Sequence, residues 1–371
     1  MQIDIIAGTR PNLVKVAPLI SAINRNSRED LLHYRFVYTG QHYDKKLSTC
    51  FFHDLNIPEP DINLDVGSGS HAVQTAQIMI GYEAALSKSK PDLSIVVGDV
   101  NSTLACALAA RKCNVEVAHI EAGIRSGDLS MPEETNRIAT DSISNWFYTT
   151  GEIANRNLIK SGTNSNQIVT VGNIMIDSLI GKIDEFVQPD CWAPLGLTDR
   201  SFFLLTLHRP ENVDSPKTLH RLLSAIDKNV DGKPVLFPVH PRTRPILNAL
   251  DLNLNNIQLF EPFRYLEFMH LVSQSCAVIT DSGGLSEETT FLKTPCITLR
   301  SSTERPETVD LGTNILVGND TSELAIHLKH AANGNWKQSK VPPLWDGNTA
   351  QRIVEHLTEH CTISTKLDRS A

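Results

Sequence analysis

The residues of this 371-residue chain that could do chemistry stand in short polar groups directly after apolar runs. Asp99 follows "SIVVG", Glu121 follows "VEVAHI" and His208 follows "FFLLTL". A carboxylate ending an apolar run is costly unless it is paired, neutralised or functional. A histidine followed by Arg209 suits phosphate or proton chemistry as well as it suits a hydrogen-bonded core position. Glu133 and Glu134, after Pro132, read locally as the acidic first turn of a helix. Two further groups read as anion cradles. In "GTRPNLVK" (8–15), Thr9 can cap a helix and Pro11 fits its first position, with Arg10 and Lys15 adding positive charge; the same residues also describe an ordinary strand-to-helix turn. In "TDSGGLSEE" (280–288), Ser282, Gly283 and Gly284 offer a hydroxyl and bare backbone to a diphosphate. Glu287 or Glu288 could then accept from ribose hydroxyls, or simply favour the helix dipole. His240 in "FPVHPRT" is a weaker candidate of the same kind. The histidines show no HExxH or Cys/His spacing, so no metal ligands are expected.

Such groups need strands that end where they begin. Apolar runs at 3–7, 34–39, 93–97, 115–120, 146–149 and 168–171 alternate with helical patterns such as "STLACALAARK". After a linker-like stretch at 175–200 the alternation resumes at 202–207, 235–239, 257–260, 277–280, 296–299 and 315–317. The spacing predicts an α/β chain of two open parallel sheets with helices on both faces, 1–178 and 179–371, and a final helix at about 349–360 docking on the body. Ligands of such sheets gather beyond the carboxyl ends of the strands, where strand order reverses. Two rims of that kind facing across a cleft would suit a nucleotide-linked substrate.

Bulk properties narrow the class. With 34 Lys and Arg against 42 Asp and Glu, the net charge of -8 argues against a protein that coats nucleic acid or anionic membrane, so any anion site is local. Seven cysteines, an odd number mostly inside apolar segments, predict reduced thiols. No signal-peptide pattern and no apolar run near ~18 residues is present, which predicts a soluble cytoplasmic protein with no membrane partner.

Together the motifs carry a resemblance that none carries singly. "GTRPNLVKVAP", "GDVNSTLA", "HIEAGIRS", "MPEETNR", "TLHRPEN", "PVHPR", "TDSGGLSEE" and "STERPE", spread over 8–307, occur in the order seen in the non-hydrolysing UDP-N-acetylglucosamine 2-epimerases. The resemblance implies a GT-B fold: two Rossmann-like, doubly wound domains with the active site in the interdomain cleft, assembled as a homodimer and needing no cofactor. It implies interconversion of UDP-N-acetylglucosamine and UDP-N-acetylmannosamine for surface polysaccharides, by eliminating UDP to a 2-acetamidoglucal and adding it back. Asp99, Glu121 and Glu133 match the family's acid/base carboxylates and His208 its catalytic histidine. Arg10 and Lys15 match the nucleotide side of the cleft, Ser282, Gly283 and Gly284 the diphosphate loop, Glu288 the ribose carboxylate and Phe268 the uracil-packing aromatic. His240 and Arg305 are placed in the same site. Asn12 departs from the glutamate common in "GTRPE", and Gln41 matches a position of an activator site found in some members. Hydrolysing 2-epimerases, epimerases of other UDP-2-acetamido sugars and, more remotely, GT-B glycosyltransferases are the alternatives.

Overall fold

The computed structural model describes residues 1–25, 31–40, 52, 55–239, 243–250 and 253–368, with only the backbone of Arg10 and of 362–368. Two units emerge: Met1–Gly181 with Pro343–Ala371, and Lys182–Pro342. Among the described residues, the first contains a seven-stranded parallel sheet of β1 (Gln2–Ala7), β2 (His33–Tyr38), β3 (Ile62–Asn63), β4 (Leu93–Val97), β5 (Glu116–Ile120), β6 (Trp146–Thr149) and β7 (Ile168–Thr170) in the order 3-2-1-4-5-6-7. The second contains β8 (Phe203–Thr206), β9 (Val235–Pro238), β10 (Ile257–Phe260), β11 (Ala277–Thr280), β12 (Cys296–Thr298) and β13 (Asn314–Leu316) in the order 10-9-8-11-12-13.

The central strands explain why the chain folds this way. LSIVV of β4 and AVIT of β11 are buried at every position, as expected of parallel strands covered by helices on both faces. Strand order reverses between β1 and β4 in one sheet and between β8 and β11 in the other. The two expected rims therefore lie at switch points, where diverging helices leave room for a ligand.

The chain's last segment differs from the expected partition. The helix Thr349–Asp368 packs Ile353, Val354, Leu357 and Cys361 into the same core as Ile3, Leu19 and Tyr148, so 343–371 belongs to the first unit rather than the second. Burial of each aliphatic side chain contributes about 1.5–3 kcal/mol to that choice. The buried Asp177 carboxylate accepts from Ala350 N at 2.7 Å, satisfying an amide at the helix start. A second polar anchor lies under the first sheet: Arg35 donates to both oxygens of the fully buried Asp4 at 2.7 and 2.9 Å, and the Tyr82 hydroxyl donates to Oδ2 at 2.9 Å. Among the described residues no helix is long and apolar enough to cross a membrane, and the described cysteines form no disulfide.

Candidate functional site

The first unit builds its site at the ends of β1, β4 and β5. Residues 8–15 leave β1 as a tight turn into the helix Arg10–Asn24, while Gly98 and Asp99 leave the adjacent β4. Glu121 leaves β5 with a left-handed backbone, φ 70°, although it is not glycine. That conformation costs on the order of 1 kcal/mol and is retained where surrounding contacts fix it, commonly at functional positions. Glu121 is buried, and Lys15 Nζ stands 2.5 Å from its Oε2. Gly98 lies beneath this pair with φ 69°; a Cβ there would come within 3.3 Å of Lys15 Nζ and 3.4 Å of Glu121 Oε2.

Asn12 has a definite task in this turn. Its Oδ1 accepts from Gly8 N, Thr9 N and the Thr9 hydroxyl at 3.4, 3.3 and 3.1 Å, and its Nδ2 donates to Val97 O at 3.0 Å. The amide thus ties the end of β1 to the end of β4, and a carboxylate at position 12 could not donate to Val97. Asn12→Asp is accordingly expected to destabilise the protein by about 1–3 kcal/mol, since it leaves a buried carbonyl facing a charge. Thermal unfolding of the two proteins measures this; an unchanged midpoint would show that the bond adds nothing.

Asp99 is held by a buried guanidinium. Arg137 Nη2 lies 2.5 Å from Asp99 Oδ2, and its Nη1 donates to Glu134 Oε2 at 2.8 Å. Glu134 also accepts from Ser126 N and Gly127 N. Burial works to raise its pKa, but these bonds and Arg137 outweigh that and hold it below the ordinary 4.5. Of the two glutamates opening the helix Pro132–Ile143, Glu134 is the anchor, whereas Glu133 is half-buried on the following face.

In the second unit the switch point joins β8 to β11. Asp281, fully buried, accepts from His208 N, Arg209 N and Asn212 Nδ2 at about 3 Å, and its Oδ1 stands 2.8 Å from His208 Nδ1. The imidazole is thereby oriented while its side chain remains 44 % exposed, the arrangement of a histidine available to a ligand. Burial tends to raise the Asp281 pKa, yet the His208 bond and charge and the donated amides hold it below 3.8.

Ser282 caps the helix Gly283–Leu292 in an extended conformation. Gly283 leaves room for the Glu304 carboxylate: a Cβ there would stand 2.4 Å from Glu304 Oε1 and force that side chain to move. Glu288 is buried and accepts from the Tyr265 hydroxyl at 3.1 Å. Burial, with Glu287 adding to it against the Tyr265 bond, pushes its pKa up to about 7. Tyr265 shares the helix Tyr265–Gln274 with the half-buried Phe268, three residues on and therefore on the same face. Arg305 is buried, with Nε 3.1 Å from Glu287 Oε1.

Asp99, Glu121 and Lys15 thus gather on one unit, and His208, Ser282, Gly283, Gly284, Glu288, Phe268 and Arg305 belong to the other. Arg10 opens its helix, but its side chain lies outside the described residues, as do His240 and Gln41. Sequence reasoning did not single out Arg137, Tyr265 or the Asp281–His208 pair. The spacing of Glu134 and Arg137 at i, i+3 carried a faint signal for the first; nothing local marked Tyr265.

Comparison with known proteins bears on the whole chain. The family described as UDP-N-acetylglucosamine 2-epimerase matches residues 24–358. The UDP-N-acetylglucosamine 2-epimerase of Methanocaldococcus jannaschii is 40% identical over 370 residues, covering 96% of this chain and 99% of that protein. A Pseudomonas aeruginosa UDP-2,3-diacetamido-2,3-dideoxy-D-glucuronate 2-epimerase is 38% identical over 363 residues, 97% of this chain and 100% of its own. The crystal structure of the M. jannaschii enzyme in complex with UDP-GlcNAc and UDP superimposes with a TM-score of 0.86 at 40% identity, over 97% of this chain and 100% of that one. With paired carboxylates and cations at one switch point and a histidine–aspartate pair beside a glycine loop at the other, the chain belongs to the UDP-N-acetylglucosamine 2-epimerase family and has its GT-B-like fold.

Proposed function

We propose that the protein interconverts UDP-N-acetylglucosamine and UDP-N-acetylmannosamine by eliminating UDP and adding it back. The observation that carries this reading is the pair Asp99 and Glu121 on neighbouring strand ends, each against a cation, in a chain of this family. The C2 proton of a 2-acetamido sugar has no adjacent carbonyl to acidify it. Removing it while the C1–O bond breaks forms a C1=C2 double bond and releases UDP; re-addition with a proton delivered to the opposite face inverts C2. The route needs an acid and a base at C2, stabilisation of the departing diphosphate and retention of both fragments.

Asp99, Glu121 and Glu133 are assigned the proton transfers, with Lys15 and Arg137 orienting the first two. His208, oriented by Asp281, is assigned to the sugar–diphosphate junction. Ser282, Gly283 and Gly284, with Arg10, His240 and Arg305, are assigned to the diphosphate and nucleotide, Phe268 to the uracil and Glu288 to the ribose. A cytoplasmic homodimer supplying surface polysaccharide synthesis fits this activity.

Glu288 gives the reading a pH signature. A ribose diol needs the carboxylate as acceptor, and with a pKa of about 7 that form is filled only as pH rises through neutrality. UDP should therefore bind about tenfold more weakly at pH 6 than at pH 8, because only the ionised fraction is competent. Calorimetric titration of wild type and Glu288→Gln at both pH values tests this; a pH-independent wild type would remove Glu288 from the ribose.

The activity itself is tested by incubating the protein with UDP-N-acetylglucosamine in deuterium oxide and following the sugar by proton NMR. Deuterium at C2 together with UDP-N-acetylmannosamine is the expected result. Free N-acetylmannosamine and UDP as main products would make the enzyme a hydrolysing 2-epimerase. No exchange with this substrate, but exchange with a UDP-diacetamido uronic acid, would favour the specificity named for the Pseudomonas relative, which is almost as similar.

A further inference from the structure

His119 lies in β5 two residues before Glu121 and is completely buried. Its Nε2 is 2.8 Å from Gly98 O and its Nδ1 2.7 Å from Asp141 Oδ1. A carbonyl only accepts, so Nε2 carries a hydrogen. The other Asp141 oxygen accepts from Gly123 N at 3.1 Å and stands 2.6 Å from Arg125 Nη1. Burial works against the charged carboxylate, but the His119 and Arg125 interactions outweigh it and hold the Asp141 pKa below 3.8. The ring thus spans the two: Nε2 donates to Gly98 O, and Nδ1 faces the Asp141 carboxylate.

The consequence is mechanical. One ring joins the exit of β4 to the helix Pro132–Ile143 that carries Asp141, and Asp141 joins that helix to the turn after Glu121. The two fixed backbone points are Gly98, immediately before Asp99, and Gly123, two residues after Glu121. Gly98 has φ 69° and no side chain to restrain it, so the direction of its carbonyl decides the direction in which the Asp99 side chain leaves the backbone.

We infer that His119 is a positioning residue for the reaction: by holding the Gly98 carbonyl, with Asp141 fixing the ring from the other side, it sets the aim of the Asp99 carboxylate at C2. The inference rests on the acid/base reading of Asp99 and Glu121. A histidine that merely filled the core would affect stability without separating kcat from KM.

The test compares two substitutions that each keep one of its bonds. In His119→Gln the amide nitrogen takes the place of Nε2 and keeps the Gly98 contact; in His119→Asn it takes the place of Nδ1 and keeps Asp141. Both are assayed for C2 deuterium exchange, KM, UDP binding and thermal unfolding, with Asp99→Asn alongside. His119→Asn is expected to lose about 10²-fold in kcat with KM and UDP affinity near wild type, the scale of a misaimed catalytic group, and His119→Gln to stay within about tenfold. Equal losses in the two proteins, a wild-type kcat in His119→Asn, or a loss shared by UDP binding would overturn the inference. Exchange surviving in Asp99→Asn would instead overturn the acid/base reading on which it rests. Should His119→Asn not fold, ring-labelled wild-type protein decides by ¹⁵N spectroscopy: a hydrogen on Nε2 of His119 supports the bridge, and a bare Nε2 overturns it.

Discussion

Asp99→Asn is expected to slow C2 exchange by about 10³-fold, the range lost with a positioned acid or base, while UDP binding survives. The two effects separate because Asp99 belongs to the first unit and the glycine loop and Glu288 to the second. An asparagine fits the same space and its carbonyl oxygen can still accept from Arg137, which lies 2.5 Å from the carboxylate. Arg137 also retains Glu134, itself fastened to Ser126 N and Gly127 N, so the helix Pro132–Ile143 keeps its anchor. Only the ability to take and return a proton disappears. Full exchange in this variant, followed by NMR in deuterium oxide, would transfer the role to Glu121 or Glu133.

The largest loss of stability within the site is expected from Asp281→Ala. The substitution strands the amides of His208 and Arg209, leaves Asn212 Nδ2 with its bond to Leu299 O alone, and removes the carboxylate beside the imidazole. Removing one partner of a buried charged network costs about 3–5 kcal/mol. Denaturant unfolding should show that loss, and kcat should fall with it because His208 is no longer oriented. The pH dependence has a fixed sign. The folded pKa of Asp281 lies below its unfolded 3.8, so the stabilisation is fully present above that value and is lost as pH falls through the folded pKa. The wild-type and Asp281→Ala stabilities should therefore converge in strong acid. A constant gap between them from neutrality to strong acid would show that the ionised carboxylate is not the stabilising species.

Much of the fold was legible because parallel strands buried on both faces leave a strong trace: mostly apolar runs that stop at a glycine or a polar residue. LSIVV before Gly98 and AVIT before Thr280's polar successors are such runs, and the structure places β4 and β11 there. The two-residue β3 left no such trace; a strand of two residues has no periodicity to read. The final helix was visible from Ile353, Val354 and Leu357, but its destination was not, since an apolar stripe says that it must be covered and not by which core. Asn12 reads in sequence as a lost charge, and in the structure as a four-bonded clamp between β1 and β4.

The sequence by itself determined which residues stand at strand ends, because the pattern of apolar and polar residues is local and so is the energetics of ending a buried strand. Only the tertiary structure decided which ends are neighbours. Strand order puts β1 beside β4, β4 beside β5 and β8 beside β11, and it is this order that brings Lys15 to Glu121, Asn12 to Val97 and His208 to Asp281. Those partners lie 106, 85 and 73 residues apart. No local propensity couples positions at such separations; they meet because two sheets bury their faces as wholes, and the charges at the rim must then find partners where the fold has put them.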